Sequence, residues 1–246
     1  MEYWVGKIAV VTGASSGIAA ALSVRLANLG ITVVGLARRA HLIDELGSKV
    51  SGKGVIYSRQ CDLSKYDDII AAFQWVEHKF GSFDILVNNA GYFPNGKITE
   101  VGEKSLNDED ILLTIDLNFK ALVLCSRLAV TLMKKKNING HIVNINSTLG
   151  HYVPSNTNMN IYPATKHAVT AFTSSLLNEL SSFNSKIKIT SISPGVVDTN
   201  MPASYLHDIP KLQSDDVVGA VIFALSTPPN VNIYELGIQI VGEPIF

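Results

Sequence analysis

The chain has 246 residues, 47% of them hydrophobic, and its 20 basic and 21 acidic residues leave a formal net charge of -1 at pH 7. That length suits one large α/β domain or two small ones, and so balanced a charge gives no electrostatic footprint for nucleic acid or an anionic membrane surface. The longest apolar run, 121–133, is interrupted by Arg127 and falls short of the roughly 18 residues of a spanning helix, so no integral membrane segment is expected.

The N-terminal stretch "MEYWVGK" lacks the basic start and long apolar core of a secretory leader. Cys61 and Cys125 lie far apart in apolar segments, a pattern of buried reduced thiols and not of a disulfide framework or a metal site. A cytoplasmic setting is the expectation. From there the chain alternates short β-branched runs with helical patterns. Strands are expected at 7–12, 32–37, 54–60, 84–88, 140–146, 187–193 and 238–241, and helices near 17–29, 41–49, 66–80, 108–136, 162–183 and 214–226. The strand runs are almost continuously apolar, as in a parallel sheet covered by helices on both faces. With no linker or composition shift, this rhythm predicts a single α/β domain over 1–246 built on a seven-stranded parallel sheet.

The first strand runs into "TGASSGIAAAL" at 12–22. Gly13 permits a sharp turn at the strand end, and Gly17 lets backbone N–H groups approach a pyrophosphate that the helix dipole also favours. Ser15, Ser16 and Ile18 complete this turn. An ordinary strand-to-helix turn is the plainer alternative for a lone motif, but its place after the first strand favours a dinucleotide. At the end of the second strand, where an acid would accept from an unphosphorylated ribose, the chain has Arg38 and Arg39. Two guanidinium groups suit a 2′-phosphate through charge-assisted contacts, which favours NADP(H); solvated surface charge is the alternative. Asp62 and Leu63 follow the third strand, Asp62 either accepting from an adenine amino group or simply closing a turn.

Further on stand "NNAG" at 88–91, Ser147, "YPATK" at 162–166 and "SPGVVDT" at 193–199. In this order, together with "TGASSGI", they resemble the short-chain dehydrogenase/reductase family over essentially the whole chain. The resemblance implies a Rossmann fold with a cofactor half near 1–140 and a catalytic half near 141–246. The textures "GLARR", "NMNIYPATKHAVTA" and "GIQIVGE" are similar to the insect farnesol dehydrogenase group and the relatives called dehydrogenase/reductase member eleven.

Residues four apart share a helical face, so Lys166 can lie beneath the Tyr162 ring. A free phenol titrates near about 10, and a neighbouring ammonium with an oxidised nicotinamide is expected to lower it until Tyr162 serves as general acid/base. Ser147 is expected to hydrogen-bond the reacting oxygen. The resemblance implies that Asn118 anchors a water leading from Lys166 to solvent; a helix-bending asparagine is its rival. It also implies that Asn89, Ala90 and Gly91 lie against the adenosine ribose. Val197 and Thr199, after the Pro194-Gly195 turn, are implied to hold the nicotinamide carboxamide. The chain departs from the family pattern at Ala19, which replaces the third glycine of the phosphate turn, and in a longer stretch between Ser147 and Tyr162.

Leu149, Tyr152 and Met201, with Tyr92, Phe93, Tyr205 and Leu206, form an expected apolar substrate wall, and 202–213 an expected lid. They point to an apolar alcohol or carbonyl substrate, either an isoprenoid alcohol or the wider range of a carbonyl or ketosteroid reductase. A weakly catalytic NADPH sensor, for which Ala19 is the hint, and a structural oligomer are the alternatives of other classes. The resemblance further implies a homodimer or homotetramer.

Overall fold

The computed structural model describes residues 1–99, 101, 105–155, 158–159, 161–199 and 210–243. Seven strands among these, β1 (Ile8–Thr12), β2 (Thr32–Ala37), β3 (Ile56–Gln60), β4 (Ile85–Asn88), β5 (His141–Ile145), β6 (Lys188–Pro194) and β7 (Glu235–Ile238), form one sheet in the order β3-β2-β1-β4-β5-β6-β7. Every pairing is parallel, from Ile8 opposite Thr32 to Pro194 opposite Ile238.

The nearly unbroken apolar runs now have their reason. Alternate side chains of a strand point to opposite faces, and both faces are covered. Ala9, Val11, Val33, Ile85 and Val143 pack on one face with Leu22 and Leu26 of α1 (Gly17–Asn28) and Val217 and Val221 of α7 (Ser214–Leu225). Val10, Val34, Leu86, Ile142 and Ile189 pack on the other. They meet Phe73 and Val76 of α3 (Tyr66–Phe80), Cys125 and Ala129 of α5 (Ala121–Lys135) and Leu176 and Leu180 of α6 (Ile161–Ser182). Cys61 and Cys125 are free and buried. Among the described residues no helix is long and apolar enough to cross a membrane.

Three elements differ from expectation. The helix expected near 41–49 is the short α2 (Ala40–Asp44) followed by a 3-10 turn, Glu45–Lys49. The helix expected over 108–136 is divided into α4 (Asp108–Ile115) and α5 by a π-helical turn at Asp116–Lys120 that contains Asn118. The last strand lies at Glu235–Ile238 and not at 238–241, because Ile240 and Glu243 close a turn, with Glu243 N–H donating to the Ile240 carbonyl at 3.0 Å.

Strand order reverses on either side of β1, whose neighbours are β2 and β4. Chains leaving the carboxyl ends there diverge, which opens a crevice in doubly wound sheets. A cavity of about 550 Å³ fills that edge.

Candidate active site

The cavity is built first by the turn after β1. Gly13 has φ 72° and Gly17 φ 58°, values that side chains with a Cβ seldom adopt. A Cβ on Gly13 would lie 3.0 Å from the Ala90 backbone, and one on Gly17 3.4 Å from the Thr199 methyl. Ser16, the residue before α1, is extended at φ -164° and makes no side-chain cap, so the first N–H groups of α1 face the cavity mouth uncapped, as anion-binding helix starts do. These features fit the pyrophosphate of a dinucleotide. Ala19 is fully buried in the core and does not line the cavity, so its methyl is absorbed by helix-sheet packing.

All expected cofactor positions line this one cavity: Ser15, Ser16 and Ile18 beside the glycines, Arg38 and Arg39 after β2, Asp62 and Leu63 after β3, Asn89 to Gly91 after β4, and Pro194, Gly195, Val197 and Thr199 after β6. Both arginines are exposed, and Arg39 Nη2 lies 3.5 Å from Ser15 Oγ. Asp62 closes the turn, its Oδ1 accepting from Ser64 N and Oγ at 3.1 and 2.8 Å, and it also lines the cavity. Partial burial pushes its pKa up, but the Ser64 hydrogen bonds and the Arg38 and Lys65 charges outweigh this and hold it below the usual value.

The residues expected to be catalytic, Ser147, Tyr162 and Lys166, stand after β5 and on α6. Ser147 follows β5 in extended backbone; its Oγ accepts from Leu149 N at 3.1 Å, and its hydroxyl acts on the neighbouring Tyr162 phenol to lower its pKa. The Lys166 ammonium, 5.6 Å from the Tyr162 ring centroid, donates to the Ile145 carbonyl at 2.9 Å. All three side chains line the cavity. Burial dominates the electrostatics of the protein's own groups here. Burial pushes the Tyr162 phenol up to about 12, opposed only by the Ser147 hydrogen bond, and burial draws Lys166 down to about 8. Desolvation penalises whichever form is charged.

Asn118 lies behind the wall. It is 1% exposed, its Oδ1 accepts from Tyr92 N at 2.7 Å, and its Nδ2 donates to the Tyr92 carbonyl at 2.9 Å and to Thr165 Oγ1 at 3.1 Å. Thr165 in turn donates to the Tyr162 carbonyl at 2.7 Å. The side chain therefore ties the loop after β4 to the turn of α6 that carries Tyr162.

Of the residues expected to wall a substrate, some line the cavity. Leu149, Tyr152 and Phe93 line the cavity, and the Phe93 ring meets Tyr162 edge-on at 4.7 Å. Met201, Tyr205, Leu206 and most of the 202–213 segment lie outside the described residues. Tyr92 also lines the cavity, its hydroxyl donating to Asp110 at 2.6 Å. Sequence reasoning missed Leu117, Pro154, Met159 and Glu243, which complete the wall, and Thr12, whose Oγ1 accepts from Asn89 and Ala90 N at 3.0 and 3.1 Å. No sequence signal singled out these residues, although Thr12 opens the phosphate-turn motif. Cys61 lines the cavity too, but burial, with Asp68 and Asp62 adding to it, raises its thiol to about 12, leaving it protonated and inert.

A nucleotide-binding α/β fold with a Ser-Tyr-Lys constellation at its carboxyl edge defines a class, and the comparisons identify it. The short chain dehydrogenase family model matches residues 7–209, and the chain belongs to that family of oxidoreductases. It is 47% identical to a farnesol dehydrogenase from Aedes aegypti, covering 99% of each chain. It is 38% identical to dehydrogenase/reductase SDR family member 11 from Mus musculus over 96% of this chain and 95% of that one. Among solved structures, the closed form of a serine dehydrogenase complexed with NADP+ superimposes with a TM-score of 0.85 at 28% identity, covering 97% of this chain and 96% of the other.

Proposed function

We propose that the protein is an NADP(H)-dependent alcohol dehydrogenase/ketone reductase for apolar substrates, of the farnesol dehydrogenase kind. The observation that carries this is one continuous cavity with Arg38 and Arg39 at one end and Ser147, Tyr162 and Lys166, walled by Phe93, Leu149 and Met159, at the other. The identity to the mosquito enzyme supports the isoprenoid substrate.

The two arginines would hold a 2′-phosphate, the glycine turn and the start of α1 the pyrophosphate, and the Pro194–Thr199 loop the carboxamide. When bound, an oxidised nicotinamide supplies the hydride acceptor and a positive charge. In alcohol oxidation Tyr162 Oη takes the substrate hydroxyl proton, and in reduction it returns one to the carbonyl oxygen. Ser147 Oγ hydrogen-bonds that oxygen, stabilising charge as it develops. Lys166 holds a cation beneath the ring, which favours the phenolate. Because the chain's own groups leave the phenol raised, general-base work depends on a positive charge arriving with the cofactor. Asn118 positions Tyr162 through Thr165.

Ala19, the hint toward a non-catalytic sensor, is absorbed in the core, so nothing favours that alternative. The proposal extends to one domain over the chain, a cytoplasmic setting and a homodimer or homotetramer. Comparing turnover of farnesol, a steroid alcohol and a small aliphatic alcohol with NADP and NAD tests it: the preferred alcohol separates the isoprenoid assignment from that of a carbonyl or ketosteroid reductase.

A further inference from the structure

The last turn of the described chain carries a carboxylate that the proposed mechanism does not use. Ile240 to Glu243 closes as a tight turn, with Gly242 at φ 86°, the positive value that the third position of a type II turn demands. This folds the Glu243 side chain back onto the loop after β6. There its Oε1 accepts from the Val196 N–H at 2.9 Å, and its Oε2 from the Ile240 N–H at 3.4 Å. Gly195 has no room for a side chain, since a Cβ there would run into this carboxylate. Glu243 is half-buried and lines the cavity beside Pro194, Gly195 and Val197.

We propose that Glu243 sets the redox-state preference of the cofactor site, its carboxylate favouring the oxidised over the reduced nicotinamide. The inference rests on the NADP(H) assignment of the cavity. Oxidised and reduced cofactors share the same phosphates, riboses and adenine, so contacts to those parts cancel when the two are compared. They differ by one positive charge, which lies on the nicotinamide ring. A carboxylate fixed at the loop assigned to that ring attracts only the charged form, and the surrounding protein screens it less than water does. The Val196 hydrogen bond and the Gly242 turn hold it in place beforehand, so no reorganisation opposes the attraction. Lys166, the ammonium in the same cavity, acts in the opposite sense, and Glu243 offsets it.

Equilibrium binding of NADP+ and NADPH, measured separately by titration calorimetry, tests this with the unaltered protein and with Glu243→Gln and Glu243→Asp. Gln keeps an acceptor for the Val196 N–H and removes only the charge. In Glu243→Gln the Kd for NADP+ should rise about three- to tenfold while that for NADPH stays within about twofold. Glu243→Asp, which keeps the charge, should hold the NADP+/NADPH ratio of the unaltered protein within about twofold. Equal weakening of both forms would show a merely structural contact and overturn the proposal, as would an unchanged ratio in Glu243→Gln. If the unaltered protein binds neither form, the cofactor assignment itself fails and the proposal falls with it.

Discussion

The Ser147 hydroxyl at the end of β5 stands beside the Tyr162 phenol on the first turn of α6 and draws that phenol's pKa down against its burial, with Lys166 one helical turn behind. Since Ser147 Oγ already accepts from Leu149 N, its own proton is free to be donated to the oxygen it faces. Ser147→Ala should therefore lower kcat about 10²- to 10³-fold, the usual cost of losing one preorganised donor. Cofactor Kd should change little, and stopped-flow single turnovers would place the loss in the chemical step.

The two arginines make a separate forecast. A double Arg38→Ala, Arg39→Ala variant should raise the KM for NADP roughly ten- to a hundredfold, as expected when charge-assisted hydrogen bonds to a phosphate are lost. The KM for NAD should move less than about twofold. Steady-state kinetics with both cofactors checks this, and equal effects on the two would remove the 2′-phosphate role.

Much of this was legible in the sequence because the strands are buried on both faces and the motifs are local. Gly13 and Gly17, or Tyr162 and Lys166, are close in the chain as well as in space. The last strand was misplaced because "IQIV" is more apolar than "ELGI", yet Val241 is 98% exposed in the turn that Gly242 forms. The π-helical turn at Asn118 needs neither glycine nor proline, so the helix-bending alternative for that asparagine was its only trace in the sequence. Glu243 was invisible because it reaches the cavity only through a contact 47 residues away in sequence. The burial that acts on the phenol is illegible for a different reason: charge proximity can be read from spacing, whereas desolvation depends on the finished packing.

Asn118 satisfies both backbone groups of Tyr92. Asn118→Ala would leave these part-buried groups without that partner, at a cost of about 1–3 kcal/mol. Thermal or urea unfolding should show that loss, together with a fall in kcat, as the loop after β4 and the Tyr162 turn lose their common tie.

A pH effect on stability follows from His141, fully buried on β5 with Nε2 2.8 Å from Thr190 Oγ1. Burial, reinforced by the Lys188 charge, holds its pKa down at about 3. Between roughly pH 6.5 and 3 the unfolded chain binds a proton that the folded chain refuses, so this contribution to stability is intact above pH 6.5 and is lost as pH falls through the window. It amounts to roughly 2 kcal/mol at pH 5. Urea midpoints at pH 7 and pH 5 should therefore draw closer together in His141→Gln than in the unaltered protein.

The most direct measurement is the reduced-nicotinamide absorbance formed from NADP and farnesol by the protein and by Tyr162→Phe, alongside binding of NADP to both. Turnover that falls by at least about 10²-fold in the variant while NADP binding persists is the predicted result. Turnover in Tyr162→Phe equal to that of the unaltered protein would contradict a general acid/base role for Tyr162.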